Sequence, residues 1–135
     1  MAVNIRNFAG INHSIVPGLW AQGLRTNEDL LARSGTREAR KTLAQSLGVD
    51  DGVILELVCR ADLARVKGIG NLYAGLLNEL EVRSIPDLAR QDGEQLHRQM
   101  EEVNRKRRLT RRLPKPACVA QWVATARGLP PVVEL

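Results

Sequence analysis

Aromatic residues are nearly missing from this chain: Phe8, Trp20, Tyr73 and Trp122 are the whole set among 135 residues. A core without rings must be filled by Leu, Val and Ala, which suits packed helices better than sheets. Cysteine and histidine are as scarce. Cys59 and Cys118 form no CxxC pair, and His13 and His97 are too few to complete a zinc site, so no metal or other cofactor is expected. Both thiols read as buried and apolar in a reducing compartment. No apolar run approaches the ~20 residues of a membrane span. The N-terminus lacks a signal-peptide pattern, so a cytoplasmic protein without a membrane partner is expected. Catalytic patterns are missing too: there is no Ser-His-Asp set, P-loop or HExxH motif. Asp50-Asp51 reads as a helix cap, Glu101-Glu102 as a solvated helix face, and His97 as having no evident acidic partner. None of these makes the converging carboxylates a metal-dependent nuclease needs, and the chain reads as non-enzymatic.

What is abundant is positive charge, and it is unevenly placed. Residues 1–60 hold 7 Lys/Arg against 6 Asp/Glu, while residues 61–135 hold 13 against 9. The excess lies in "RKRRLTRRLPK", where Arg105, Lys106, Arg107, Arg108, Arg111, Arg112 and Lys115 face no acid within the run. A polyanionic partner is the natural inference from such a run. Two readings stay open for it: a surface that grips phosphates, or a solvated helix end whose late positive charges suit the helix dipole.

Shifted by 58 residues, the chain overlays itself without a gap. "GINHSIVPGLWAQGLRTNEDLLA" lies over "GIGNLYAGLLNELEVRSIPDLAR", with Gly10/Gly68, Ile11/Ile69, Leu19/Leu77, Arg25/Arg83, Asp29/Asp87 and Leu30/Leu88 identical. In each copy a Gly-Ile bend precedes an apolar helix. A hydroxyl residue follows, with Asp three positions on, as in a capping box: Thr26…Asp29 and Ser84…Asp87 predict helix starts at Asn27 and Ile85. Other stripes at helical spacing run through "REARKTLAQSL", through Ile54, Leu57, Val58 and Ala61, through Leu96, Met100 and Val103, and through Val119, Trp122, Val123 and Ala126. The closing "LPPVVEL" reads as a tail that helix cannot enter.

The stretch Leu63-x-x-Val66-x-Gly68-Ile69-Gly70-x-x-x-Ala74-x-x-Leu77 fits a helix-hairpin-helix pattern. Its glycines permit unusual φ and clear side chains from the tip, while Ile69 anchors the loop and Ala74 lets two helices approach. Unpaired amides at the tip and at the start of the next helix then suit a phosphate, with Lys67 at the flank. Gly68, Ile69, Gly70, Asn71 and Leu72 are the predicted cradle. Lys67, Arg105, Lys106, Arg107, Arg108, Arg111 and Arg112 are the predicted electrostatic surface. In the first copy Asn12 replaces the second glycine. Asn tolerates a left-handed conformation, which would preserve the bend there.

Residues 63–129, with "GIGNLYAGLL", "SIPDLAR", "EEVNRKRRLTRRLP" and "VAQWVATARGLP", resemble a bacterial family of unknown function. That family is usually described as carrying a helix–three-turn–helix domain similar to that of flap endonucleases. Residues 9–62 resemble its degenerate preceding unit. The resemblance implies tandem helix-hairpin-helix units and DNA binding, without a nuclease active site. The expected fold is all-α: two tandem helix-hairpin-helix (SAM-like) units, residues 1–62 and 63–129, packed as one compact domain with a tail over 130–135. The expected function is sequence-independent binding of double-stranded or branched DNA. A protein-interaction or scaffold module, including one that takes an acidic protein on the basic run, is the alternative.

Overall fold

Side-chain caps set half of the α-helix starts. The computed structural model of the chain describes residues 2–8 and 11–135, with the Asn71 side chain left out. Thr26, Thr36, Ser84 and Asp92 each accept a bond from the amide three residues on, and a helix begins directly after each. In chain order the helices are α1 (Val16–Ala21), α2 (Asn27–Ser34), α3 (Arg37–Leu47), α4 (Asp51–Leu63), α5 (Asn71–Glu79), α6 (Ile85–Ala89), α7 (Gly93–Arg107) and α8 (Pro116–Gly128). Short 3-10 turns at Ile5–Asn7 and His13–Ile15 precede α1. Among the described residues there is no β-strand, only an isolated bridge between Asn4 and Thr26. The fold is all-α.

The apolar side chains form two clusters. One gathers Ile5, Phe8, Leu19, Leu30, Ile54 and Val58 with their neighbours from residues 5–61. The other gathers Leu63, Val66, Ile69, Leu77, Leu88, Met100 and Trp122 with theirs from residues 63–126. In the first, α4 packs on α2 and α3; in the second, α8 packs on α6 and α7. Burying each such Leu or Ile contributes about 1.5–3 kcal/mol, so each cluster holds its own helices. Contacts between α4 and α6 join the two.

The bonds that shape the two halves recur 58 positions apart. Leu24 N donates to Leu19 O at 2.9 Å, and Val82 N to Leu77 O at 2.9 Å. Phe8 N donates to Ile5 O at 3.0 Å, and Val66 N to Leu63 O at 3.1 Å. The capping box is complete only at Thr26, where the Asp29 carboxylate accepts from the cap amide. At Ser84 the Asp87 carboxylate instead takes the Arg83 amide at 3.1 Å. Gly10, part of the first predicted bend, lies outside the described residues. Asn12 has φ −78°, so the left-handed conformation expected for it is not adopted.

The tail turns back across the molecule to the first half. Glu134 N donates to Gly35 O at 2.7 Å, and Val133 packs on the first cluster. The buried Arg40 guanidinium donates to Gly35 O at 2.8 Å and to Glu134 O, binding the tail to the α2–α3 turn. Four of five tail residues from 131 to 135 keep their side chains exposed.

Candidate functional site

Between α4 and α5 the chain makes the tight turn 64–70, and its two glycines turn out to do different work. Gly68 has φ +95°, a conformation L side chains rarely adopt, and an added Cβ would stand 2.9 Å from Trp122 Nε1. Both backbone and packing therefore require glycine there. Gly70 is extended, with φ −90° and ψ −173°, and a Cβ on it would meet nothing within 4 Å. Neither strain nor crowding explains it. Ile69 between them is buried, and its amide donates to Val66 O at 3.1 Å, anchoring the loop.

Gly70 is the N-cap residue of α5 and brings no side chain to cap it. The first intrahelical bond runs from Ala74 N to Gly70 O at 2.9 Å, so the amides of Asn71, Leu72 and Tyr73 have no partner inside the helix. Lys67, Gly68 and Gly70 are exposed around this opening. Leu72 is 48% exposed, a large apolar side chain left at the same tip.

The basic residues follow α5 from its end back to its beginning. Arg107, the last residue of α7, pairs with Glu79 at 2.8 Å. Leu109 joins Leu72 and Leu76 around a notch of about 200 Å³. Arg112 O then accepts from Tyr73 Oη at 2.8 Å, beside the first turn of α5. Arg108 stands at φ 49°, a left-handed residue that ends α7 and lets the chain reverse. Asn104 clasps the loop beyond it, accepting from Thr110 N at 2.9 Å and donating to Thr110 O at 3.0 Å.

The run is not wholly without acids once folded. Lys106 pairs with Glu102 at 3.5 Å and Arg107 with Glu79, so these two charges are partly compensated. Acids outside the run supply both partners, one through helical i,i+4 spacing and one through the fold. Among the described residues Lys67, Arg105, Arg108, Arg111 and Arg112 make no ion pair.

Sequence reading missed several partners. His97 does have an acid: its Nδ1 lies 3.2 Å from Glu101, one helical turn on, and its Nε2 lies 2.9 Å from Pro114 O. Cys118 is exposed rather than buried, because it lies on the outer side of the first turn of α8. Cys59 is half-buried, and burial pushes its thiol up to about 11, which leaves it protonated and inert at neutral pH. Asp62, beside it, is buried and raised by desolvation, although Arg65 at 2.7 Å opposes the shift. Trp122 is buried as its stripe predicts, and its ring also meets that of Tyr73 at 5.6 Å behind the glycine turn. The only available signal was that two of four aromatics fall in the half that carries the basic run.

Among the described residues no group of three or more His, Cys, Asp or Glu is placed to hold a metal ion. No helix among them is long and apolar enough to cross a membrane. Over residues 10–129 the chain matches the family described as Domain of unknown function (DUF4332), and it belongs to that family. No curated protein and no solved structure matches it.

Proposed function

We propose that the chain binds nucleic acid without sequence preference, taking backbone phosphates of double-stranded or branched DNA on a helix-hairpin-helix formed by α4, the 64–70 turn and α5. The reading has no catalytic step. Its binding residues are Lys67, the backbone of Gly68, Ile69, Gly70, Asn71 and Leu72, and the arginines 105, 108, 111 and 112. Lys106 and Arg107 contribute less, since each already faces a carboxylate.

The observation that carries the reading is Gly70. The fold does not require glycine at that position, yet its missing side chain leaves the positive end of α5 open to an anion. Such contacts hold phosphates and ignore base edges, so affinity without sequence discrimination follows.

The test is a binding titration of duplex, forked and single-stranded DNA at low and moderate salt. Log affinity is expected to fall against log salt with a slope of about −0.9 per phosphate contacted. Gly70→Glu should abolish most binding while leaving the helical signal and unfolding midpoint intact. Affinity that ignores both salt and Gly70→Glu excludes this mechanism. A second reading has its own support: the exposed Leu72 and the notch beside Leu76 and Leu109 suit a protein partner's apolar side chain. Trp20 gives it none, being half-buried with Arg6 and Arg25 over its ring at 5.9 and 5.5 Å.

A further inference from the structure

We infer that Tyr73 is a positioning residue: its hydroxyl joins the α5 tip and the Arg111–Arg112 segment into one rigid anion-binding face. This rests on the phosphate-binding reading above and adds to it a device that sets the spacing of the two parts.

The ring and the hydroxyl of Tyr73 face different neighbours. The ring leans on Trp122 at 5.6 Å with a 44° tilt, and Trp122 in turn lies against Gly68. The hydroxyl projects away from that packing to donate to Arg112 O at 2.8 Å. One side chain therefore touches the support of the glycine turn and the backbone of the basic loop. Loop residues 109–113 belong to no helix; Leu109 and Leu113 pack on the second cluster, and His97 meets Pro114 O just beyond them at 2.9 Å. Asn104 holds Thr110, and Arg112 N donates to Thr110 Oγ1 at 3.2 Å. These bonds shape the loop without fixing it to α5. Leu109 adds apolar contact there, which is not directional. Among the described residues the hydroxyl bond is the directional tie between Arg112 and α5.

The consequence is kinetic and thermodynamic for binding. A loop already held beside the cradle loses little freedom when its arginines meet a second phosphate, whereas a loose loop must be ordered at that moment. Tyr73→Phe removes the hydroxyl and keeps the ring on Trp122. Its expected effect on duplex DNA is about three- to tenfold weaker binding, the range one hydrogen bond spans. The salt slope should also become shallower by about one to two, as up to two phosphate contacts lose occupancy. The unfolding midpoint should stay close to wild type, and trypsin should cut faster after Arg111 and Arg112.

The deciding experiment measures duplex affinity and salt slope for the full chain, Tyr73→Phe, Arg111→Gln/Arg112→Gln, and the triple variant. The backbone acceptor at Arg112 survives in every variant. Coupling is expected: Tyr73→Phe should weaken the wild type but change nothing further once both arginines are gone. An unchanged slope and unchanged trypsin cutting in Tyr73→Phe, with normal wild-type binding, overturn the positioning role alone. Equal losses in both backgrounds overturn it too, since the residue would then act without the loop. A wild type that does not bind duplex DNA overturns the phosphate reading itself, and with it the joint face.

Discussion

Asn12 and Gly70 occupy equivalent places 58 residues apart, each as the N-cap of the segment that follows, and they use that place in opposite ways. The Asn12 side chain accepts from Ser14 N at 3.1 Å and from Ser14 Oγ at 2.6 Å, so the first half closes its own helix start. The second half, with glycine there, has no cap side chain to make such a bond. Around these two places the scaffold is alike: the same backbone bonds end α1 and α5, and a hydroxyl caps the helix after each. The surroundings then diverge. A basic segment runs along α5, whereas Trp20 in α1 is covered by two arginines. A repeated framework can thus keep one copy for packing and leave the other open.

The sharpest way to break that comparison is at the turn glycine. Gly68→Ala must adopt φ +95° and push its methyl into Trp122 at 2.9 Å. Strain of about 1–2 kcal/mol and overpacking of about 1–3 kcal/mol add to a loss of roughly 2–5 kcal/mol in a urea melt. Gly23, at φ +80°, has open space around it, so Gly23→Ala should lose only the strain share. Equal losses at the two sites would show that Trp122 does not press on the turn.

The position equivalent to Gly23 in the second half is Glu81, which holds φ 63° with a full side chain. Here the second half carries strain that the first avoids. Glu81→Gly should therefore stabilise the chain by about 0.5–1 kcal/mol, the left-handed strain relieved less the extra freedom of an unfolded glycine. A loss on urea titration would mean that the exposed Glu81 side chain does something beyond ending α5.

Helices starting at Asn27 and Ile85 were legible because caps act locally: a hydroxyl and an acid three residues apart suffice to name the start. The all-α class was legible from apolar spacing for the same reason. The division of labour between Gly68 and Gly70 was not, since the motif treats both as turn glycines. Only the fold brings Trp122, 54 positions on, behind one and leaves the other clear. Pairing of Arg107 with Glu79 likewise needs α5 and α7 to meet, a contact between residues 28 apart in sequence. Matched pairs Ile5/Leu63 and Phe8/Val66 escaped the overlay because burial, not identity, is what they share.

The smallest effect on stability tests the comparison most directly. Exchanging the two caps, as Gly70→Asn and Asn12→Gly, alters stability by only a few tenths of a kcal/mol each, since Asn and Gly differ little at an N-cap. Binding should respond far more. An asparagine at 70 can turn its own oxygen onto the α5 amides, as Asn12 does on Ser14, and so occupy the place of the phosphate. Gly70→Asn should then weaken duplex binding severalfold while the melting curve barely moves. Asn12→Gly opens the first helix start but places no arginine loop beside it, so it should add no affinity. Measured by fluorescence anisotropy, a gain in Asn12→Gly would mean that an open helix start suffices by itself. No loss in Gly70→Asn would mean that the α5 amides never held the anion, leaving the arginines along α5 as the whole of the grip.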